Sequence, residues 1–155
     1  GMTESLRDFR HSLPMELLRA REAAMSRFRP VLREYGLTEQ QWRVIRVLAE
    51  HDGIDASEVA ARSFLLAPSL TRILQFLEKE NLVRRRLDSN DQRRSVLTLT
   101  QKGRKIVGSV GPDSERQYAE IEAAFGRERL ERLYELLAAF YTTLDRDLAE
   151  SGQDG

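Results

Sequence analysis

The chain has 155 residues and no cysteine, and its 25 basic and 25 acidic side chains give a formal net charge of zero. This length suits one domain, or a domain with an attached helical element, and the missing cysteines exclude disulfides, thiol redox switches and cysteine-ligated metals. Two isolated histidines argue against a zinc site. No signal peptide or apolar run of about 18 residues is visible, so we expect a cytoplasmic protein; Gly1 before Met2 resembles a tag scar.

The first predicted element is a helix that follows a flexible N-terminus at residues 1–11. Ser12 is a suitable N-cap, and Pro14 is tolerated in a first helical turn. Apolar residues then recur at helical spacing up to residue 36. Pro30 lies inside this helix, so we expect a kink or local irregularity there.

Capping signatures open the next two helices. Thr38 and Gln41 form a capping box, and Asp55 repeats the signature for a short third helix. A three-residue turn at 64–66 separates it from a fourth helix that begins at Pro68. The inward stripe of this fourth helix has the spacing i, i+3, i+4, i+7 and consists of Leu70, Ile73, Leu74 and Leu77.

The apolar period changes after Asn81, a residue suited to a left-handed helix C-cap. Residues 83–87 and 95–99 are short and rich in apolar or β-branched side chains. They flank a polar, turn-rich loop at 88–94. This pattern predicts a β-hairpin with an exposed basic tip.

Two long helices are predicted for the rest of the chain. The first begins after Thr100, and Gly111-Pro112 is expected to kink or break it. The last carries two apolar rows, one of them with 3-4-3-4 spacing: Leu130, Leu133, Leu137, Phe140 and Leu144. Two rows exceed what one core face needs, so we expect helix packing between chains.

Together these elements predict a mainly α protein with a small β-hairpin wing. The order of helices, tight turn and hairpin is that of a winged helix-turn-helix, here with an N- and C-terminal helical dimerisation arm. The expected division is 12–36 with 106–149 for dimerisation, 37–105 for the winged helix-turn-helix, and 150–155 for a flexible tail.

The zero net charge conceals a strong asymmetry along the chain. Residues 1–61 carry a net charge of −1, residues 62–105 carry +7, and residues 106–155 carry −6. Of the 25 basic residues, 22 are arginine, the better residue for phosphate and groove contacts. The basic segment contains the predicted fourth helix and hairpin, so double-stranded DNA is the expected partner, although a solvated basic face has the same composition.

In a winged helix-turn-helix, the second helix of the pair enters the major groove by its N-terminal end. The outward residues of this helix are of types that hydrogen-bond base edges and phosphates. They are Ser69, Thr71, Arg72 and Gln75. The alternative is that they are ordinary solvent-facing residues.

The hairpin tip is the second predicted DNA contact. Asp91 can orient the guanidinium of Arg93 for a minor groove, whose negative potential attracts arginine. Arg94 is expected to reach flanking phosphates, and Arg84 and Arg86 to follow the backbone from one face of the strand. The alternative for Asp91 and Arg93 is a surface salt bridge of about 0–1 kcal/mol.

These residues carry a family resemblance. The Asp-x-Arg-Arg of the hairpin, followed by the Leu-Thr-x-x-Gly of Leu99, Thr100 and Gly103, resembles the multiple-antibiotic-resistance repressor (MarR) family. The resemblance implies a homodimeric winged helix repressor that binds pseudo-palindromic DNA and releases it on binding a small phenolic or aromatic ligand.

Residues 12–30 and 37–46 narrow this resemblance. They are similar to the part of the family that represses homoprotocatechuate (4-hydroxyphenylacetate) degradation operons. That subgroup responds to hydroxylated aromatic acids, so the similarity implies a repressor of aromatic-acid catabolism. A MarR-type regulator of another phenolic or stress response is the alternative.

An aromatic carboxylate requires a guanidinium for its acid group and an apolar wall for its ring. The residues that fit these roles on the first two predicted helices are Ser12, Arg19, Arg21, Trp42, Arg43 and Arg46. The alternatives are salt bridges of Arg19, Arg21 and Arg46 with Glu16, Glu22 or Glu50, and a core position for Trp42.

No catalytic residue, metal or cofactor is predicted. The sequence contains no phosphate-binding glycine loop, nucleophile elbow or metal-ligand cluster, which argues against an enzyme. A helical dimerisation module that does not bind DNA remains as a further alternative.

Overall fold

The computed structural model describes residues 6–152. The elements of this range are a 3-10 turn at Phe9–His11, α1 (Leu13–Glu34), α2 (Glu39–Glu50), α3 (Ala56–Ser63), α4 (Ala67–Lys79), β1 (Val83–Leu87), β2 (Ser95–Leu99), α5 (Gln101–Phe125) and α6 (Arg127–Glu150). The predicted class is confirmed: the fold is mainly helical with one antiparallel hairpin. The termini expected to be flexible lie partly outside the described residues, at 1–5 and 153–155.

The capping residues that the sequence indicates define the helix starts. The Gln41 amide donates to Thr38 Oγ1 at 3.1 Å and the Thr38 amide donates to Gln41 Oε1 at 3.0 Å, so the capping box is complete. Asp55 Oδ1 accepts from the Glu58 amide at 2.9 Å. Ser12 precedes α1, but its side chain makes no capping hydrogen bond.

The expected break of the fifth helix at Gly111-Pro112 is wrong, because α5 continues through Pro112 to Phe125. Pro112 has no amide hydrogen to donate to the Gly108 carbonyl. Gly108 is exposed, so water can bond to that carbonyl and the helix continues. The hydroxyl of Tyr35, the residue that follows α1, also stabilises α5 around Pro112. It lies 2.6 Å from Asp113 Oδ2 and 3.1 Å from the Ser109 carbonyl oxygen. Pro30 likewise lies within an uninterrupted α1.

By contact density the chain divides into two units, residues 1–114 and 115–155. The first holds the main core, in which α2, α3, α4 and the hairpin pack together. Its fully buried side chains include Val44, Ile45, Leu48, Val59, Leu74, Leu77 and Leu97. This core fixes the orientation of α4, since the predicted stripe of that helix is buried in full.

The hairpin has an additional short partner that the sequence analysis missed. Ile54 forms an isolated antiparallel bridge with Leu97, and the Leu97 amide donates to the Ile54 carbonyl at 2.8 Å. The link between α2 and α3 is thereby tied to β2. Gly103 fixes the start of α5 equally closely, because a Cβ there would lie 2.4 Å from the Leu82 carbonyl oxygen.

The second unit contains the end of α5 and all of α6. Within α6 only Leu130 is buried. The other apolar side chains of the two predicted rows are exposed: Leu133, Tyr134, Leu137, Phe140, Tyr141, Leu144 and Leu148. The predicted excess of apolar surface on the last helix is therefore present.

Candidate nucleic-acid interface and ligand site

The helix-turn-helix consists of α3, a three-residue turn and α4. Phe64 ends α3 in a left-handed conformation, with φ 55° and ψ 45°. The turn reverses the chain and α4 begins at Ala67. Burial of one α4 face leaves the opposite face outward, where Thr71, Arg72 and Gln75 are exposed. Ser69 is half-buried.

The polar groups on the outward face of α4 differ in whether they already have a partner within the protein. The Thr71 hydroxyl donates to the Ala67 carbonyl at 3.0 Å, which leaves its oxygen able to accept. Arg72 has no ion-pair partner within residues 6–152. The helix therefore presents one uncompensated guanidinium together with hydroxyl and amide groups.

The tip of the hairpin orients Arg93 as the sequence indicates. Asp91 Oδ1 accepts from the Arg93 backbone amide at 3.0 Å and from its Nε at 3.3 Å. The side chain of Arg93 is nevertheless 93% exposed. The carboxylate thus restrains the arginine without covering it, and the role of Arg93 on DNA stays a prediction.

Arg94 has a structural role that the sequence analysis missed. Its Nε lies 3.2 Å from Asp55 Oδ2 and its Nη1 lies 3.5 Å from Asp88 Oδ2. The Nε is buried and its approach to Asp55 is an ion pair without a well-aligned hydrogen bond. Since Asp55 caps α3, this arginine links the wing to the helix-turn-helix in addition to its predicted phosphate contact.

The strand arginines alternate as predicted. Arg85 turns to α4, where its Nε donates to Glu78 Oε1 at 2.7 Å. Arg84 and Arg86 are exposed and have no ion-pair partner in the described part of the chain. Two of the three cations of β1 are thus uncompensated.

The candidate ligand residues meet around a carboxylate that the sequence analysis missed. Glu39, at the start of α2, forms ion pairs with Arg21 of α1 and with Arg43, the latter at 2.6 Å. Arg43 also donates to the Ser63 carbonyl at 2.8 Å. Burial, and then the positive charge of Arg43, lower the pKa of Arg21. The cluster of two guanidiniums and one carboxylate retains one positive charge.

The remaining ligand candidates lie in different environments. Trp42 is half-buried and packs against the core, as the core alternative predicts. Arg46 pairs with Glu50 at 3.4 Å, as the salt-bridge alternative predicts. Arg19 is exposed with no ion-pair partner between residues 6 and 152.

The salt-bridge alternative holds for Arg21, but with a partner outside the glutamates that the sequence indicated. Arg21 pairs with Glu39, while Glu22 binds Arg29 through bonds of 2.8 and 2.9 Å. The reason is geometric: the i, i+7 neighbour of Glu22 offers a two-pronged guanidinium, whereas Arg21 faces α2. Arg21 thereby joins α1 to α2.

The described chain also bears on metal binding and on membrane insertion. Within residues 6–152 no group of three or more histidine, aspartate or glutamate side chains is placed to hold a metal ion. Across the same residues, every helix is too short or too polar to pass through a bilayer.

Comparison with known proteins assigns the family. The model of the MarR family matches residues 35–94. The homoprotocatechuate degradative operon repressor of Escherichia coli is 44% identical over 129 residues, which are 83% of this chain and 87% of that protein. The HTH-type transcriptional regulator FarR of Neisseria gonorrhoeae is 46% identical over 127 residues, 82% of this chain and 87% of that one.

A solved structure agrees with these relatives. The crystal structure of NadR in complex with 4-hydroxyphenylacetate superposes with a TM-score of 0.80 at 40% identity, and the match covers 87% of this chain and 98% of NadR. The relatives are transcriptional regulators, which confirms that the chain is not an enzyme. The winged helix-turn-helix and the extent of these matches place the chain in the MarR family of transcriptional regulators.

Proposed function

We propose that the protein is a cytoplasmic homodimeric repressor that binds a pseudo-palindromic DNA duplex and is released by a small aromatic carboxylate. The observation that carries the DNA part is the outward, exposed face of α4 together with the exposed Arg93 of the hairpin tip. A recognition helix and a wing arginine read the major and minor grooves respectively. The basic segment at 62–105 supplies the complementary charge.

Dimerisation is the second part of the proposal. The apolar rows of α6 are exposed, and α1 exposes Leu13, Leu17 and Leu18. Apolar surface of this extent is unfavourable in water and is typical of a surface that pairs with another chain. A two-fold dimer would place two copies of α4 about 34–36 Å apart, one turn of DNA.

DNA binding is tested with the duplex next to the protein's own gene, by fluorescence anisotropy over a series of salt concentrations. We expect affinity to fall steeply with salt, because arginines release condensed counterions from phosphates. Arg72→Ala and Arg93→Ala should each weaken binding by about 1–3 kcal/mol.

Arg146→Ala is the matched control, because Arg146 is an exposed arginine of α6 without an ion-pair partner in the described residues. The affinity of the Arg146→Ala variant for DNA should equal that of the wild type. Binding that is undetectable at low salt would contradict the DNA proposal and would favour a helical dimerisation module.

The ligand part rests on the Arg21–Glu39–Arg43 cluster. Its net charge of one positive unit suits a monoanionic carboxylate, which can share the guanidiniums that Glu39 now holds. Trp42 supplies an adjacent aromatic surface on α2. Ser12, Arg19 and Arg46 are secondary candidates, of which Ser12 has a hydroxyl that is not used in capping.

The similarity to the homoprotocatechuate repressor and to NadR with 4-hydroxyphenylacetate supports an aromatic-acid operon as the target. FarR, at a comparable identity, has a name that specifies no aromatic acid, which keeps the alternative of a MarR-type regulator of another phenolic or stress response. A panel of ligands separates the two.

Isothermal titration calorimetry with 4-hydroxyphenylacetate and homoprotocatechuate tests the ligand. We expect binding of both acids, release of DNA, and loss of binding for 4-hydroxyphenylacetamide, which lacks the carboxylate. Arg21→Gln should weaken the binding of both acids by about 1.5–3 kcal/mol, since a hydrogen bond to a charged group is removed.

Arg33→Gln is the control for this experiment, because Arg33 is exposed on α1 and has no ion-pair partner among residues 6–152. If neither acid binds or releases DNA, the aromatic-acid assignment fails while the DNA proposal stands.

A further inference from the structure

The turn that precedes α4, residues 64–66, exposes large apolar side chains, whereas few other large apolar side chains are exposed in the winged helix-turn-helix. Between residues 37 and 105, all of which the structure describes, three large apolar residues are exposed: Phe64, Leu66 and Leu87, at 88%, 77% and 57%. Two of them lie in the turn before α4. Leu65, between these two, packs against the core instead. The exposure of its neighbours is therefore not explained by the core.

Leu66 occupies a position where local stability favours a different residue. It is the N-cap of α4, with φ −74° and ψ 149°, and makes no side-chain capping bond. At the starts of α2, α3 and α5, the side chains of Thr38, Asp55 and Thr100 each accept a bond from the backbone. Leucine gives up this stabilisation and adds exposed apolar surface. Departures of this kind are expected at functional positions.

The surroundings of Leu66 favour DNA over protein as the partner of this exposed side chain. Ala67 and Pro68 continue the exposed apolar turn, and Thr71 and Arg72 follow on the outward side of the same helix. An apolar protein partner at this end would have to approach the uncompensated guanidinium of Arg72 in a segment of net charge +7. A DNA groove instead combines phosphates for the arginine with an apolar group on its floor.

That apolar group is the 5-methyl of thymine, which projects into the major groove. We propose that Leu66 contacts a thymine methyl in each half-site of the operator and so determines part of the sequence specificity. The inference rests on the proposed DNA binding and adds the base that the first turn of α4 recognises.

The test compares two forms of the duplex next to the protein's own gene, one with thymidine and one with deoxyuridine throughout. Uracil keeps the pairing and lacks only the methyl group. For the wild-type protein we expect roughly 15-fold weaker binding of the uracil duplex, about four-fold for each methyl in two half-sites.

Leu66→Ser is the informative variant. We expect its preference for thymine to fall below two-fold, while its thermal stability equals or exceeds that of the wild type because serine caps α4. Phe64→Asn is the matched control. Phe64 lines a shallow depression between α2 and α3 with Val47 and Arg62, so its loss should leave the thymine preference intact.

The outcomes separate the two proposals. A wild-type protein that binds both duplexes equally, or a Leu66→Ser variant that keeps the full preference, overturns the thymine contact and leaves DNA binding in place. A preference lost equally in Phe64→Asn would assign it to the turn conformation and overturn the role of Leu66. Absence of binding to either duplex overturns DNA binding and this inference with it.

Discussion

The helices α4 and α6 have the same apolar periodicity and opposite burial. In the 13 residues of α4, four apolar side chains are buried; in the 24 residues of α6, one is buried. Leu77 of α4 is fully buried, whereas Phe140 and Leu144 of α6 are 37% and 50% exposed. Periodicity thus predicts that a helix has an apolar face, but the surface that covers this face depends on the rest of the assembly.

The largest expected effect concerns the buried apolar stripe of α4. Leu77→Ala should lower the free energy of unfolding by about 2–5 kcal/mol, because it removes buried methyl groups and leaves a cavity. Urea denaturation followed by circular dichroism measures this change, which should be independent of protein concentration. A loss below about 1 kcal/mol would mean that the stripe is less tightly packed than its burial indicates.

The exposed rows of α6 give the complementary experiment. The double substitution Phe140→Glu with Leu144→Glu places like charges four residues apart on the apolar face. It should dissociate the proposed dimer, because charges in an apolar interface are costly unless paired. Sedimentation velocity should show half the wild-type mass. Arg146→Glu changes the charge on the same helix and should leave the mass unaltered. A dimer that survives the double substitution would place the interface elsewhere.

This contrast also explains how far the sequence predicted the fold. Local signals were accurate: the capping box of Thr38, the left-handed Asn81 and both strand ranges are confirmed. Each depends on residues a few positions apart. The Ile54 bridge to Leu97 was missed, since it joins segments more than 40 residues apart and has no local signature.

The candidate sites follow the same rule. The Asp91–Arg93 contact was predicted because its residues are two positions apart. Glu39 and the pairing of Asp55 with Arg94 were missed, because both depend on packing between distant elements. One local signal for Glu39 was available: it lies four residues before Arg43, the favourable helical order for an ion pair.

Two of the three glycines of α5, Gly103 and Gly108, differ in the same way between close packing and open space, and substitutions there should have effects of intermediate size. Gly103→Ala should destabilise the protein by about 1–3 kcal/mol, since the added Cβ would meet the Leu82 carbonyl oxygen at 2.4 Å. A Cβ added at Gly108 would meet no heavy atom within 4 Å beyond the backbone of its own helix. Gly108→Ala should therefore stabilise the helix by about 0.5–1 kcal/mol. Thermal denaturation of both variants measures the difference, and equal shifts would contradict the close approach at Gly103.

The smallest expected effect compares the ends of the same two helices. Asn81 follows α4 with φ 58°, and Gly152 follows α6 with φ 72°. After Asn81 the chain continues into the buried Leu82, whose amide donates to the Leu77 carbonyl at 2.8 Å. Asn81→Ala should therefore reduce the free energy of unfolding by about 1 kcal/mol, because alanine tolerates the left-handed region less well, and Asn81→Gly should not reduce it.

Gly152→Ala imposes the same backbone penalty at the exposed end of α6. There the Gly152 amide bonds to the Ala149 carbonyl at 3.3 Å, and neither residue is buried. The last turn can fray without disturbing a core, so the substitution should leave the denaturation midpoint unchanged. If Asn81→Ala and Gly152→Ala shift the midpoint equally, the two ends are equally coupled to global unfolding, and the contrast between a covered α4 and an uncovered α6 does not extend to their termini.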